Sequence, residues 1–449
     1  MRLLVIYGVQ PDALNRAREL ERLGEDEAAT RAYLTYLGEA PDDLQALTDL
    51  GNLAMRRGYT SAARTAYLRV AQLDPRNLVA RVNLGNVLLR ANDLPAAREQ
   101  YEAALSIDPV FAPAHQGLSY VYARLGDEEA SQRHRDLGFA GHALLRIPFR
   151  GPAQPVRALV MVSAAGGDFN TDWLLDQHRF DVTKIFAEYA DPGIPLPEFD
   201  VLVNAIGDAD RCQHALHCAE RIAERAKRDA INPPHRVRET KRVDVSRRLR
   251  AISQLVVPHV ANVHRAALPQ ARLTFPLLLR TPGHHTGRHF LMVESEATLP
   301  QALASLPGDE LLVIDYFDLH GADGYVRKYR VLAIDGRLYP VHAAISRDWK
   351  VHYFTADMAA SEAHRAEDAQ FLAHPQRVIG TQAWKALEEI VHALQLDYVG
   401  IDFGIDAAGR PVIFEANAAM SMYPTDPEPM WDYRRTAMDR IRDAFHGML

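Results

Sequence analysis

Asp402, Glu415 and Asn417 are the residues of this chain best placed to do chemistry together. They lie in residues 397–420, DYVGIDFGIDAAGRPVIFEANAAM, which read as a hairpin turning at 407–410. Glu415 and Asn417 are two apart and so share one sheet face, and Asp402, between Ile401 and Phe403, joins them if it lies opposite. Two carboxylates and an amide are hard oxygen donors of the kind that Mg²⁺ prefers, with water and phosphates completing its shell. Burying such a set with no positive partner is costly, so the alternative is that both carboxylates pair with structural arginines. Upstream, Arg280 ends a strand and precedes a loop carrying Pro282, Gly283 and Gly287. A cation beside a Gly-bearing loop can close over phosphates through backbone N–H groups.

These groups need a scaffold of short strands. Residues 271–295 read as strand, loop and strand, 310–318 as a buried strand, 325–346 as a meander with a tight turn at 334–337, and 381–395 as a helix. The basic run 236–250 reads as a solvated helix. Before it, 157–165, 182–189 and 200–207 read as strands, with helical stretches at 172–178 and 211–228. That order suggests a small Rossmann-like layer. Ala164, Ala165, Gly166, Gly167 and Asp168 close its first strand without a GxGxxG pattern, which points to a substrate-facing loop rather than a dinucleotide site.

The first third repeats with a period of 34. Gly24, Gly58, Asn92 and Gly126 form one column, Ala28, Ala62, Ala96 and Ala130 a second, Tyr33, Tyr67 and Tyr101 a third, and Pro41, Pro75 and Pro109 a fourth; Leu50, Leu84 and Leu118 make a fifth, with Gly51 and Gly85 behind the first two. The spacing predicts helix pairs: Gly or Asn ends each first helix at positive φ, Ala permits close approach, Tyr fills the gap between units and Pro starts the next helix. The pattern resembles the tetratricopeptide repeat over four units, the first the most degenerate. The resemblance implies a superhelix whose concave face holds a peptide or protein; the plainer alternative is that it dimerises the chain or buttresses the next domain.

Taken in order, Arg280, the Gly-bearing loop, the apolar strand near Asp315, Arg330 and D-x12-E-x-N resemble the ATP-grasp superfamily over about residues 155–446. The last motif is similar in spacing and order to those of D-alanine ligases, glutathione synthetases and ribosomal-protein glutamate ligases. The resemblance implies Asp402, Glu415 and Asn417 as ligands of Mg²⁺ or Mn²⁺. It implies ATP phosphate contacts from Arg280, from Lys241 or Arg242, and from the loop of Gly283 and Gly287. Adenine is then held by backbone groups of the segment containing Asp315, Tyr316 and Phe317, and the ribose by Asp318. Arg330 stabilises the transition state, and the segment of Ser346, Arg347, Trp349, Lys350 and His352 meets the acceptor, with Arg347 and Lys350 as candidates. Ala418, Ala419 and Met420 follow Asn417 without the Pro-Gly of D-alanine ligases, so their amino-acid specificity does not carry over.

The expected fold is therefore α plus α/β: a helical repeat domain at 1–147, a Rossmann-like pre-ATP-grasp domain at 148–235 and an ATP-grasp domain of two α+β subdomains at 236–449. The implied activity is an ADP-forming ligase that makes an acyl phosphate for an amine or other nucleophile, with the repeats recruiting a peptide, protein or carrier-bound substrate. The carboxylate and nucleophile are left open. A phosphotransferase on the same fold, or a scaffold whose nucleotide site has decayed, are the alternatives.

Length and composition agree with globular domains: 449 residues, 48% hydrophobic, 24% charged. A net charge of −7 without basic–aromatic interleaving argues against nucleic acid or an anionic membrane as partner. Cys212 and Cys218 are the two cysteines, which excludes a disulfide framework and suggests buried neutral thiols. His284, His285 and His289 lack a helix-borne pair and read as loop histidines rather than zinc ligands. The N-terminus has neither the apolar length nor the cleavage site of a signal peptide, and no window spans a bilayer, so a cytoplasmic location is expected, with homo-oligomerisation open.

Overall fold

The computed structural model describes residues 11–283, 287–352, 356, 358–426 and 428–449. The chain divides into two compact units, residues 1–158 with 176–199, and residues 159–175 with 200–449. Residues 148–235, expected as a domain of their own, are shared between the two.

Among its described residues the first unit has eight helices in four pairs: α1 (Pro11–Arg22) and α2 (Asp26–Glu39), α3 (Leu44–Arg56) and α4 (Thr60–Leu73), α5 (Leu78–Arg90) and α6 (Leu94–Ile107), α7 (Ala112–Leu125) and α8 (Glu128–Phe139). Gly24, Gly58, Asn92 and Gly126 all have positive φ, as a tight exit from each first helix requires. Tyr67 and Tyr101 fill the space that glycine opens: a Cβ on Gly51 would stand 2.6 Å from the Tyr67 ring, and one on Gly85 2.6 Å from the Tyr101 ring. Their hydroxyls donate to Asn52 Oδ1 (2.8 Å) and Asn86 Oδ1 (2.7 Å), residues again 34 apart.

Two expectations need correcting. The wholly buried small-residue column is Ala29, Ala63, Ala97 and Ser131, not Ala28, Ala62 and Ala96, which are partly or fully exposed. Each of those alanines has an alanine neighbour, and the helix face selects the second. Pro41, Pro75 and Pro109 do not start helices; they lie in the turn after α2, α4 and α6, three residues ahead of Leu44, Leu78 and Ala112. The N-caps are Asp43 and Asn77, whose side chains accept from Ala46 N (2.9 Å) and Ala80 N (3.0 Å), and Phe111, which caps only by its extended backbone.

Strand β1 (Leu144–Ile147) follows; the division between units runs through β2 (Val156–Val162), and β3 (Phe180–Phe186) pairs antiparallel with β1. Phe139 of α8 packs on Phe186, and the Tyr189 hydroxyl donates to Asp136 at 2.7 Å. Segment 172–178, expected as helix, is a run of turns.

The second unit contains β4 (Val201–Asn204), α9 (Gln213–Ala226), α10 (Pro234–Arg238), α11 (Arg242–Leu249) and two four-stranded sheets. One has the order β5-β8-β6-β7, from β5 (Val260–His264), β6 (Leu277–Arg280), β7 (Phe290–Val293) and β8 (Glu310–Asp315). The other has the order β10-β9-β11-β12, from β9 (Val326–Ile334), β10 (Arg337–Ser346), β11 (Tyr398–Ile405) and β12 (Pro411–Asn417). All the ladders within these two sheets are antiparallel. Cys212 and Cys218 are both buried. Among the described residues no helix is long and apolar enough to cross a membrane.

Two consequences are measurable in the repeat unit. Gly85→Ala gains about 1 kcal/mol of helix propensity yet puts a methyl into the buried Tyr101 ring, and overpacking of about 1–3 kcal/mol should exceed that gain. A lowered midpoint in denaturant melts is expected, whereas Gly38→Ala, with nothing within 4 Å of the added Cβ, should not lower it. In the last pair, His115 Nε2–H donates to Pro109 O (3.0 Å), leaving its Nδ1 to accept from His134 Nδ1–H (2.8 Å). Burial, His115 and Arg133 hold His134 below the ordinary histidine value of 6.5, against the pull of Glu102. The folded state then binds fewer protons than the unfolded one, so stability falls as pH drops below 6.5. A His134→Gln variant should flatten that part of a stability–pH profile.

Candidate functional site

Sheet β10-β9-β11-β12 aligns a transverse polar row. Arg330 on β9 lies opposite Asp402 on β11, Asp402 opposite Glu415 on β12, and His342 on β10 opposite Arg330. Two bulges make the row. Phe403 pairs with Ile413 but Asp402 with Glu415, so Phe414 is the extra residue; likewise Val341 separates the pairs Pro340–Val331 and His342–Arg330. Without the first bulge Asp402 would face Phe414, and the two carboxylates would fall on different faces.

Asp402, 2% exposed, is enclosed by two cations. Arg330 Nε reaches its Oδ1 at 2.6 Å and Nη2 its Oδ2 at 2.8 Å, while Lys328 Nζ reaches Oδ2 at 2.7 Å. Burial alone would raise its pKa, but Arg330 and Lys328 together hold it far below the ordinary carboxylate range. His342 is kept neutral by burial, Arg330 and Arg434. Glu415 Oε1 accepts from Arg242 Nη2 at 2.5 Å and from Asn417 Nδ2 at 2.7 Å, and Asn417 Oδ1 accepts from Ala419 N at 2.9 Å.

Asp402, Glu415, Asn417, Arg242, Arg330 and Lys328 line a cavity of about 450 Å³ to which the other sheet also contributes. Arg280 ends β6, 8% exposed, with its guanidinium over the Phe290 ring of β7 and its pKa pushed down to about 10 by burial and by Arg242. Lys350 Nζ donates to Phe290 O at 3.1 Å, and its Cε would be 2.6 Å from a Cβ on Gly287. Asp315 Oδ2 accepts from His259 N at 3.1 Å, fastening β8 to the residue before β5. Tyr316 stands edge-on to Trp349, and Phe317 completes the stretch. Leu249, Val260, Leu312 and Ile314 add apolar lining.

The expected residues thus fall into two groups. Arg280, Gly283, Gly287, Asp315, Tyr316, Phe317, Arg330, Lys350, Asp402, Glu415 and Asn417 line one cavity. Lys241, Asp318 and Arg347 are not among its described lining. Lys241 precedes α11 as its N-cap, and Arg242, the neighbouring candidate, turns inward instead. Asp318 pairs with His320, and Arg347 lies over the Tyr325 ring at 4.6 Å. Run 236–250 is more than a solvated face, since Arg242 meets Glu415 and Arg238 meets Glu220. Lys328 escaped the sequence reading although it shares a strand face with Arg330, two residues on. Of the loop histidines, His284 and His285 lie outside the described residues.

The oxygen-only donors suit a hard divalent cation, and the flanking guanidinium and ammonium groups suit phosphate. Both carboxylates are nonetheless engaged by protein cations, which such an ion would have to displace. No group of three or more His, Cys, Asp or Glu able to hold a metal occurs among the described residues. Asp402→Asn should cost about 3–5 kcal/mol in urea melts, because it leaves Lys328 and Arg330 buried around a neutral amide.

Against known proteins, the tetratricopeptide repeat family matches residues 79–111, which cover α5, α6 and the turn after them. No curated protein matches. Solved structures of MamA are similar: MamA MSR-1 in its C2 form is 23% identical over 28% of this chain and 72% of that one, with a TM-score of 0.26. The MamA RS-1 ArsTM double mutant is 22% identical over 29% and 76%, with a TM-score of 0.28. The chain therefore carries a helical repeat of tetratricopeptide type followed by a mixed α/β region.

Proposed function

We propose that the second unit is an ATP-grasp-like, ADP-forming ligase that activates a carboxylate, and that the repeats dock its peptide, protein or carrier substrate. The observation that carries this reading is one cavity lined by Asp402, Glu415 and Asn417, by the cations Arg280, Arg242 and Lys350, and by the stretch Ile314–Phe317. The donor set fits Mg²⁺ or Mn²⁺, held by Asp402, Glu415 and Asn417, and a bound divalent ion would offset phosphate charge. Arg280 and Lys350 bind phosphate oxygens, and the backbone around Tyr316 and Phe317 holds the base. Arg330 stabilises charge developing on the transferring group. The reaction balances as transfer of the γ-phosphoryl to a carboxylate oxygen with release of ADP, followed by attack of an amine or other nucleophile that expels phosphate. Tethering a docking module to the catalytic unit raises the local concentration of substrate.

A second reading is favoured by the ion pairs themselves: Asp402 and Glu415 are satisfied by Arg330, Lys328 and Arg242, as a structural network in a non-catalytic scaffold would be. Nucleotide release from ATP and Mg²⁺, resolved as ADP or AMP against pools of amino acids, peptides and small carboxylic acids, separates the two. The expected result is ADP formed only with a carboxylate pool and lost in Asp402→Asn and Glu415→Gln, the latter keeping its fold. ADP indifferent to both changes, or no ATP binding at all, would leave the scaffold.

A further inference from the structure

Asp402 carries more positive charge than it needs. Arg330 alone balances the carboxylate's charge with a bidentate contact, yet Lys328 Nζ adds a third contact at Oδ2. The two cations differ in shape and stiffness. Arg330 is fixed in the transverse row between His342 and Asp402 and presents a planar fork that matches both oxygens. Lys328 is a point charge on a flexible stem that lines the cavity as Arg330 does, and burial, Lys328 and Arg330 all lower the pKa of nearby His352. A divalent cation at Asp402 and a Lys ammonium at the same oxygen exclude one another by charge.

We infer that Lys328 is a resident counter-cation of Asp402, occupying its Oδ2 until the divalent cation of a metal-nucleotide displaces it; the inference rests on the nucleotide-binding reading above. Lys328 is in this sense a positioning residue. It holds Oδ2 of the buried carboxylate, and it sets how tightly the metal-nucleotide binds. A residue with only a structural role would weaken metal binding when removed, whereas removing a competitor strengthens it. The sign of the effect decides.

The test is a titration of the full chain with Mn²⁺ in the presence of ATP, followed by the paramagnetic resonance signal of free Mn²⁺, for the unmodified protein, Lys328→Met and Lys328→Arg. The Met variant should bind about tenfold more tightly, the scale set by not having to break one hydrogen bond between charged groups, and Lys328→Arg should stay near the unmodified value. Without nucleotide, Lys328→Met should melt at a lower temperature, and saturating Mn²⁺ and ATP should close that gap. If the Met variant does not fold, Lys328→Gln takes its place with the same expected tightening. Binding seen only in the Met or Gln variant is the strongest form of the expected result. Unchanged or weaker binding in those variants, with measurable binding in the unmodified protein, overturns the inference and leaves nucleotide binding standing. No binding in any of the proteins overturns both.

Discussion

A carboxylate on an inner strand, closed off from water, must be given positive partners before the sheet can pack, and Asp402 imposes that demand on everything around it. β11 is buried along almost its whole length, so Asp402 cannot turn outward to be solvated. Its partners have to come from the neighbouring strand, which puts Lys328 and Arg330 on one face of β9 and fixes the register between β9 and β11. Slipping that register by one residue would move both cations to the opposite face and leave the charge stranded. The bulges at Phe414 and Val341 extend the same logic sideways, bringing Glu415 and neutral His342 into line with the pair. A comparable knot fastens the C-terminal segment, where buried Asp368 receives Arg434, the Tyr433 hydroxyl at 2.6 Å and Ala343 N at 2.7 Å.

The same contacts define what the cavity can do. Both oxygens of Asp402, Oε1 of Glu415 and Oδ1 of Asn417 are already held by nitrogen, so a divalent cation there would exchange partners and not fill an empty hole. Exchange lowers apparent affinity but spares the folded protein an uncompensated charge. Arg280 sits close to this balance, since burial and Arg242 both work against its charge while Glu415, Asp208 and Asp210 support it. An incoming phosphate would relieve that tension.

Legibility followed the range of the interactions. The 398–417 hairpin could be read because its alternation and its Ala407–Arg410 turn are local, and the positive-φ column at Gly24, Gly58, Asn92 and Gly126 because only such residues tolerate that backbone. The alanine column was misplaced by one because Ala28–Ala29, Ala62–Ala63 and Ala96–Ala97 are chemically identical pairs, and only the packed face tells them apart. The prolines were assigned to helix starts on a general preference, whereas the Asp43 and Asn77 side chains already supplied the local caps. That Asp402 faces Glu415 depends on a bulge with no Gly or Pro to announce it. Arg242 looked like one member of a solvated charge run because its partner lies 173 residues away. Lys328 was readable, since alternation places it beside Arg330, but nothing local says that a strand cation points at a carboxylate 74 positions on.

The two units bury polar groups in different ways, and the difference has a functional consequence. In the repeats, Tyr67 and Tyr101 give their hydroxyls to Asn52 and Asn86, each 15 residues back, through neutral hydrogen bonds that recur with the period. Such bonds need no outside ion and offer none a place, so they hold a rigid surface of the kind a docking module uses. The first pair departs from this: Tyr33 gives its hydroxyl to Glu21, and the resulting buried charge draws in Arg56 and Arg150, each at 2.6 Å. There the arginines come from α3 and from the chain beyond α8, so a charge replaces a periodic contact with a long-range one. In the second unit, charge pairing is the rule around the cavity, across 72 residues for Arg330 and Asp402. Ion pairs, unlike the tyrosine contacts, can be re-formed with a mobile ion at little geometric cost, because Coulomb attraction is less directional than a neutral hydrogen bond. Around the cavity of the second unit the buried polar contacts are therefore between charges, whereas the contacts that recur along the repeats are neutral, with Glu21 the charged exception.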